Sequence, residues 1–126
     1  MQPAESLTVL LDENPSLCPV LAGLGKNSDK VFPLERDTTI IGKWAASADI
    51  CLDIPTVSRI HAKIIREGEN CYIIDLNSKN GTWVNGVPLN PEEKTTLKRN
   101  DIICFAREEF RYTAPDLPHS DNAAEN

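Results

Sequence analysis

The amino-acid sequence predicts an all-β chain folded as a sandwich of short strands, and three observations carry that prediction. Runs of β-branched and aromatic residues are short and end at Gly, Pro, Asn or Asp, as strands bounded by turns require. Turn signals recur at the roughly 8–12-residue spacing of sandwich proteins. No segment carries the periodicity of a packed helix over a useful length.

In chain order the predicted strands are 18–22, 31–34, 38–41, 50–52, 61–66, 71–76, 83–84, 94–97, 101–105 and 110–113. Residues 61–66 (HAKIIR) and 71–76 (CYIIDL) flank Glu67-Gly68-Glu69-Asn70 and read as a hairpin. Asn85-Gly86, between Trp83-Val84 and Val87, is the strongest short hairpin signal, because both turn residues tolerate positive φ. Asn90-Pro91-Glu92-Glu93 reads as one turn and residues 44–48 as a helix-tolerant loop; neither is long enough for a structural helix. The sequence contains no internal repeat.

Length and composition narrow the functional classes. The 126 residues suit one domain, which buries roughly two-thirds of its unfolded surface. A hydrophobic fraction of 40% and a charged fraction of 25% are those of a globular protein. No apolar stretch approaches the roughly 20 residues of a membrane helix, so membrane insertion is not expected. The N-terminus lacks a signal-peptide pattern, and the expected compartment is the cytoplasm. Cys18, Cys51, Cys71 and Cys104 are scattered, with no C-x-x-C pair and only two histidines. That pattern argues against a metal site, and the apolar or aromatic neighbours of Cys51, Cys71 and Cys104 read as those of buried, reduced thiols. A net charge of −6 argues against a nucleic-acid partner. Much of the acid sits near the ends, whereas several cations fall in central loops. Residues 1–15 are expected to be a flank or linker, in which Leu7-Thr8-Val9-Leu10-Leu11 forms an added edge strand or an arm. Residues 16–114 form the domain, and 115–126 a disordered acidic tail.

Four short elements stand in order: Ile41-Gly42-Lys43, Ser58-Arg59-Ile60-His61, Asn77-Ser78-Lys79-Asn80-Gly81-Thr82 and Val84-Asn85-Gly86. In order and spacing they resemble the forkhead-associated (FHA) family. Its pattern is a Gly-Arg pair after an early strand, then Ser-x-x-His, then Ser-x-Asn-Gly-Thr leading to an Asn-Gly turn. The resemblance covers about residues 16–114. It implies an FHA-type (SMAD/FHA-like) sandwich of about eleven short, mostly antiparallel strands, whose loops at one end hold a phosphothreonine peptide.

The resemblance also assigns roles. Lys43 stands where the family has its phosphate-binding arginine, and Ser58 matches the serine whose hydroxyl and backbone contact phosphate. Arg59 follows at a position often basic or amide-bearing. Lys79 occupies a polar position that helps hold the phosphate, and Asn80 matches the asparagine that hydrogen-bonds the peptide main chain. Gly42, His61, Gly81, Thr82, Asn85 and Gly86 match positions that shape the loops. Lys43 departs from the family: lysine is a point charge without arginine's bidentate fork.

The chemistry agrees with the resemblance. A phosphothreonine carries nearly two negative charges and three strong acceptor oxygens, and five loop residues here offer donors. The expected function is therefore phosphothreonine-dependent protein recognition in Ser/Thr kinase signalling, without catalysis or cofactor. The alternative is a phosphate-independent interaction domain on the same fold, favoured by Lys43. Ser58 lies in no Gly-x-Ser-x-Gly elbow, and His61 reads as a structural histidine bonding across loops. Gly23-Leu24-Gly25-Lys26 lacks full P-loop spacing and opens no predicted helix. Trp83 reads as packing, and Trp44 as a loop residue equally suited to ligand contact or to none. Thr8, after Glu5 and three residues before Leu11, is a candidate phospho-acceptor whose arm would occupy the domain's own site.

Overall fold

The computed structural model describes residues 18–114, and it is built almost entirely of strand and turn. The eleven strands among the described residues are β1 (Val20–Gly23), β2 (Val31–Pro33), β3 (Thr38–Gly42), β4 (Ile50–Cys51), β5 (Ala62–Glu67), β6 (Asn70–Asp75), β7 (Thr82–Val84), β8 (Val87–Pro88), β9 (Thr95–Leu97), β10 (Ile102–Phe105) and β11 (Glu108–Thr113). All ten predicted strands are present within a residue or two of their expected ends. The eleventh is β8, which pairs back on β7 across the predicted Asn85-Gly86 turn. The β5–β6 hairpin turns on Gly68-Glu69 alone, because Glu67 and Asn70 pair with each other.

The strands form a six-stranded sheet, β2-β1-β11-β10-β7-β8, and a five-stranded sheet, β4-β3-β5-β6-β9. Among the described strands only β3 and β4 run parallel. Alternation along β3, β5, β6, β10 and β11 turns every second side chain inward. The core between the sheets holds Leu21, Ile41, Ile64, Ile73, Ile103, Phe105 and Phe110, all essentially without solvent contact. Burying each contributes about 1.5–3 kcal/mol. The edges are blunted: β2 and β8 carry Pro33 and Pro88, and β4 is only two residues long.

Two local expectations need correction. Gly25–Asn27 does open a single 3-10 turn after Leu24, anchored because Asn27 Nδ2 donates to the buried Glu108 carboxylate at 2.9 Å. Of the cysteines only Cys71 is buried, and Cys51 is exposed; all four are free. The cause at Cys51 is alternation, since its neighbours Ile50 and Leu52 take the inward positions. Thr8, the 1–15 flank and the 115–126 tail lie outside the described residues.

The pairing geometry gathers the predicted site. Ile41 pairs with Ala62, Ala62 with Asp75, and Phe105 with Thr82. The β3–β4, β4–β5, β6–β7 and β10–β11 connections therefore emerge at one end of the sandwich. Val20 pairs with Thr113, which puts the start of β1 and the end of β11 at the opposite end.

Candidate functional site

Gly42 brings the first two loops together. A Cβ there would fall on the Arg59 carbonyl oxygen, so only glycine permits this approach. The adjoining backbones then bond directly, Lys43 N–H to Ser58 O at 2.9 Å and Trp44 N–H to Arg59 O at 3.1 Å. The third loop joins through side chains. Lys79 N–H donates to Ser58 Oγ at 2.9 Å, and Asn80 Nδ2 donates to Thr56 O at 2.7 Å.

His61 ties these loops to the core. It is fully buried, with its ring edge-on to Phe105. Its Nδ1 accepts from Ser58 N–H at 3.0 Å. That fixes the proton on Nε2, which donates to Gly81 O at 2.8 Å. The same carbonyl accepts Ala106 N–H at 2.9 Å, so three loops converge on one oxygen. Burial pushes the imidazole pKa down, partly opposed by the Gly81 bond and by Asp75, and a neutral ring suits this pattern. Gly81 itself has φ +89, and a Cβ would meet the Trp83 ring at 2.9 Å.

Sequence reasoning missed Asp75, which organises the third loop from below. Its buried carboxylate accepts Ser78 Oγ–H and Thr82 Oγ1–H at 2.6 Å each and Ser78 N–H at 3.1 Å. The strand pattern held the signal: alternation along β6 turns Asp75 inward, and a buried carboxylate must find donors. Thr82 is thus bonded to the same carboxylate that holds Ser78. Asn85 and Gly86 are not part of this cluster. They form the tip of the β7–β8 hairpin, where the Asn85 side chain bonds Asp101 and the Ile102 N–H at the far end of β7.

The free bonding capacity defines what the cluster can do. Ser58 N–H is engaged by His61 and Lys79 N–H by Ser58. The serine backbone contact that the resemblance implied is therefore occupied. Ser58 keeps its hydroxyl proton to donate, and Asn80 keeps its Oδ1 and a second amide proton. Lys43, Arg59 and Lys79 make no side-chain hydrogen bond or ion pair among the described residues. Lys63, Lys98 and Arg111 also lack such partners there, but stand apart on β5, after β9 and on β11, while Arg107, equally unpartnered, lies on the β10–β11 connection at the same end. All thirteen Lys and Arg residues lie within 18–114, as do thirteen of the nineteen Asp and Glu. The described region is therefore formally neutral, and the −6 resides in the flanks. A neutral sandwich with three unpartnered cations on adjoining loops is suited to a compact anion.

The family model described as the FHA domain matches residues 39–106, which contain every loop of this cluster. The chain belongs to the FHA family. Among curated relatives it is 44% identical to an oxoglutarate dehydrogenase inhibitor of Corynebacterium jeikeium over 79 residues, covering 63% of this chain and 52% of that one. It is 35% identical to the glycogen accumulation regulator GarA of Mycolicibacterium smegmatis over 102 residues, covering 81% of this chain and 61% of GarA. The FHA chain thus spans between half and two-thirds of the length of these relatives. Among solved structures it is similar to Mycobacterium tuberculosis EmbR in complex with a low-affinity phosphopeptide. There the TM-score is 0.71 at 31% identity, covering 79% of this chain and 25% of EmbR.

FHA domains are regulatory binding modules, and the rest of this one is consistent with a scaffold for binding loops. Burial pushes the thiols of Cys18, Cys71 and Cys104 above their ordinary range, away from nucleophilic reactivity. No helix among the described residues is long and apolar enough to cross a membrane. Trp83 packs half-buried over Gly81, whereas Trp44 is 51% exposed beside Lys43.

Proposed function

We propose that this FHA domain, spanning about residues 16–114, recognises a phosphothreonine-bearing segment of a partner protein and recruits it in Ser/Thr kinase signalling, without catalysis. One observation carries the reading: among the described residues Lys43, Arg59 and Lys79 stand unpartnered, on loops already hydrogen-bonded to one another. In this reading the three cations and the Ser58 hydroxyl hold the phosphate, and the Asn80 amide takes the peptide main chain. Charge-assisted hydrogen bonds contribute about 1.5–3 kcal/mol each. Three or four of them reach micromolar affinity, about −8 kcal/mol, after ordering costs. Lys43 supplies charge without a fork, and Arg59 supplies the planar pair of donors. ATP-dependent kinases act in the cytoplasm, which is where the reading puts the domain.

Binding measured by fluorescence polarisation tests this. Degenerate phosphothreonine peptides are compared with phosphoserine and unphosphorylated counterparts, on the wild-type chain and on Lys43→Ala. Binding confined to phosphothreonine and lost in the variant is expected. Equal affinity for phosphorylated and unphosphorylated peptides would favour the second reading, a phosphate-independent interaction domain. Lys43 in the arginine position and the exposed Trp44 and Ile60 beside it are what favour that alternative.

The domain's own N-terminal arm is a further ligand under the same reading. Thr8 stands twelve residues before Val20, a reach of about 40 Å when extended. The body of the sandwich, set by strands of six residues such as β11, is about 20 Å long. Phosphorylating Thr8 with a threonine kinase should therefore abolish binding of external phosphopeptide. Undiminished binding by the Thr8-phosphorylated chain removes the arm as a ligand.

A further inference from the structure

A cleft of about 400 Å³ opens beside the phosphate loops, walled by Thr56, Asn80, Trp83, Ala106 and Arg107. It shares Asn80 with the candidate peptide site, so a main chain held by that amide passes its mouth. Two walls are apolar, the half-buried Trp83 ring and the Ala106 methyl. Among the described residues no carboxylate lines it, and its one charge is Arg107.

Three observations make Arg107 a prepared cation. It is exposed, and among the described residues it has no side-chain hydrogen bond or ion pair. Its neighbouring carboxylates are directed elsewhere: Glu108 is buried against Asn27 and Lys26, and Glu109 lies near Cys104 on the outer face. Its backbone is held by Ala106, which takes φ +59, a left-handed conformation that alanine rarely adopts. Ala106 N–H is also bonded to Gly81 O, the oxygen on which His61 converges, so the Arg107 turn is tied to the phosphate loop.

We propose that this cleft receives an acidic side chain of the bound phosphopeptide, with Arg107 as the residue that selects it. The methylene stem of a glutamate or aspartate packs on Trp83 and Ala106 while its carboxylate meets the guanidinium. This rests on the phosphopeptide reading above and narrows the partner class to phosphothreonine segments bearing a nearby acid.

The test uses the full chain and degenerate phosphothreonine peptides carrying glutamate, alanine or lysine fixed in turn at each flanking position. At one position glutamate is expected to bind about three- to tenfold tighter than alanine, and lysine weaker than both. Arg107→Glu should invert that order and Arg107→Ala should level it. The same glutamate preference in wild type and Arg107→Glu, or none in wild type, overturns the inference and leaves phosphothreonine recognition standing. Absence of any phosphothreonine-dependent binding by the wild-type chain overturns both.

Discussion

Two polar clusters of this molecule treat charge in opposite ways. Around Glu108 the charge is matched internally: the buried carboxylate accepts Asn27 Nδ2–H at 2.9 Å and pairs with Lys26 at 3.1 Å. Around Lys43, Arg59 and Lys79 the matching stops at the backbone. There the loops are closed by hydrogen bonds through Ser58, Asn80, His61 and Gly81, while the cationic tips have no partner among the described residues. The first arrangement fixes the 3-10 turn on the sandwich. The second leaves cations on adjoining, hydrogen-bonded loops, where a bound anion can meet them. A charged group that the fold does not satisfy is thus a better guide to function than one that it does.

The comparison breaks hardest at the support of the loops. Asp75→Ala strands the Ser78 and Thr82 hydroxyls and the Ser78 N–H, and should cost about 3 kcal/mol of stability, read as a lowered urea midpoint. Gly42→Ala drives a methyl into the Arg59 carbonyl and should cost about 2 kcal/mol. It also separates the Lys43 and Arg59 loops, so peptide binding should fall even where the protein remains folded. The tips should behave in the opposite sense. Lys43→Ala and Arg59→Ala should each weaken phosphothreonine-peptide binding about tenfold in polarisation assays. Their unfolding midpoints should stay within about 0.5 kcal/mol of wild type.

Acid sharpens the distinction further. His61 is held neutral, with its pKa pushed by burial below the ordinary 6.5. The unfolded chain therefore binds a proton in a range where the folded one does not. Stability from this residue is complete above about pH 6.5 and is lost as pH falls through the folded-state value. Urea midpoints should be level between pH 8 and 7 and lower at pH 5.5. Asp75 nearby favours the charged imidazole and softens the decline without reversing it. The internally matched cluster should also respond weakly. Lys26 is 68% exposed, so Lys26→Ala should cost less than about 1 kcal/mol by chemical denaturation.

Much of this was legible in the sequence, and for physical reasons. Strand positions follow from β-branched runs between turn residues, and Asn85-Gly86 marks its own hairpin. The loops carrying Lys43, Ser58, Arg59, Lys79 and Asn80 are local motifs, readable without knowing the pairing. What sequence reading missed depends on which strands meet. Asp75 lies seven residues before Thr82, and no local pattern reveals that the two bond across the loop. Arg107 sits in a two-residue turn whose meaning depends on Ala106 reaching Gly81, and Glu108 depends on Asn27 from the other end of the chain. The misjudged cysteine at position 51 had a readable cause, since strict alternation between buried Ile50 and Leu52 leaves Cys51 outside.

The most direct test of the central claim is an NMR titration of the isotope-labelled chain with a phosphothreonine peptide pool and its unphosphorylated counterpart. The account predicts phosphate-dependent shifts in the amides of Lys43, Ser58, Arg59, Lys79 and Asn80, with little change at Asn85, Lys26 and the β5–β6 hairpin. Shifts centred on a sheet face, or the same shifts with the unphosphorylated pool, would contradict it.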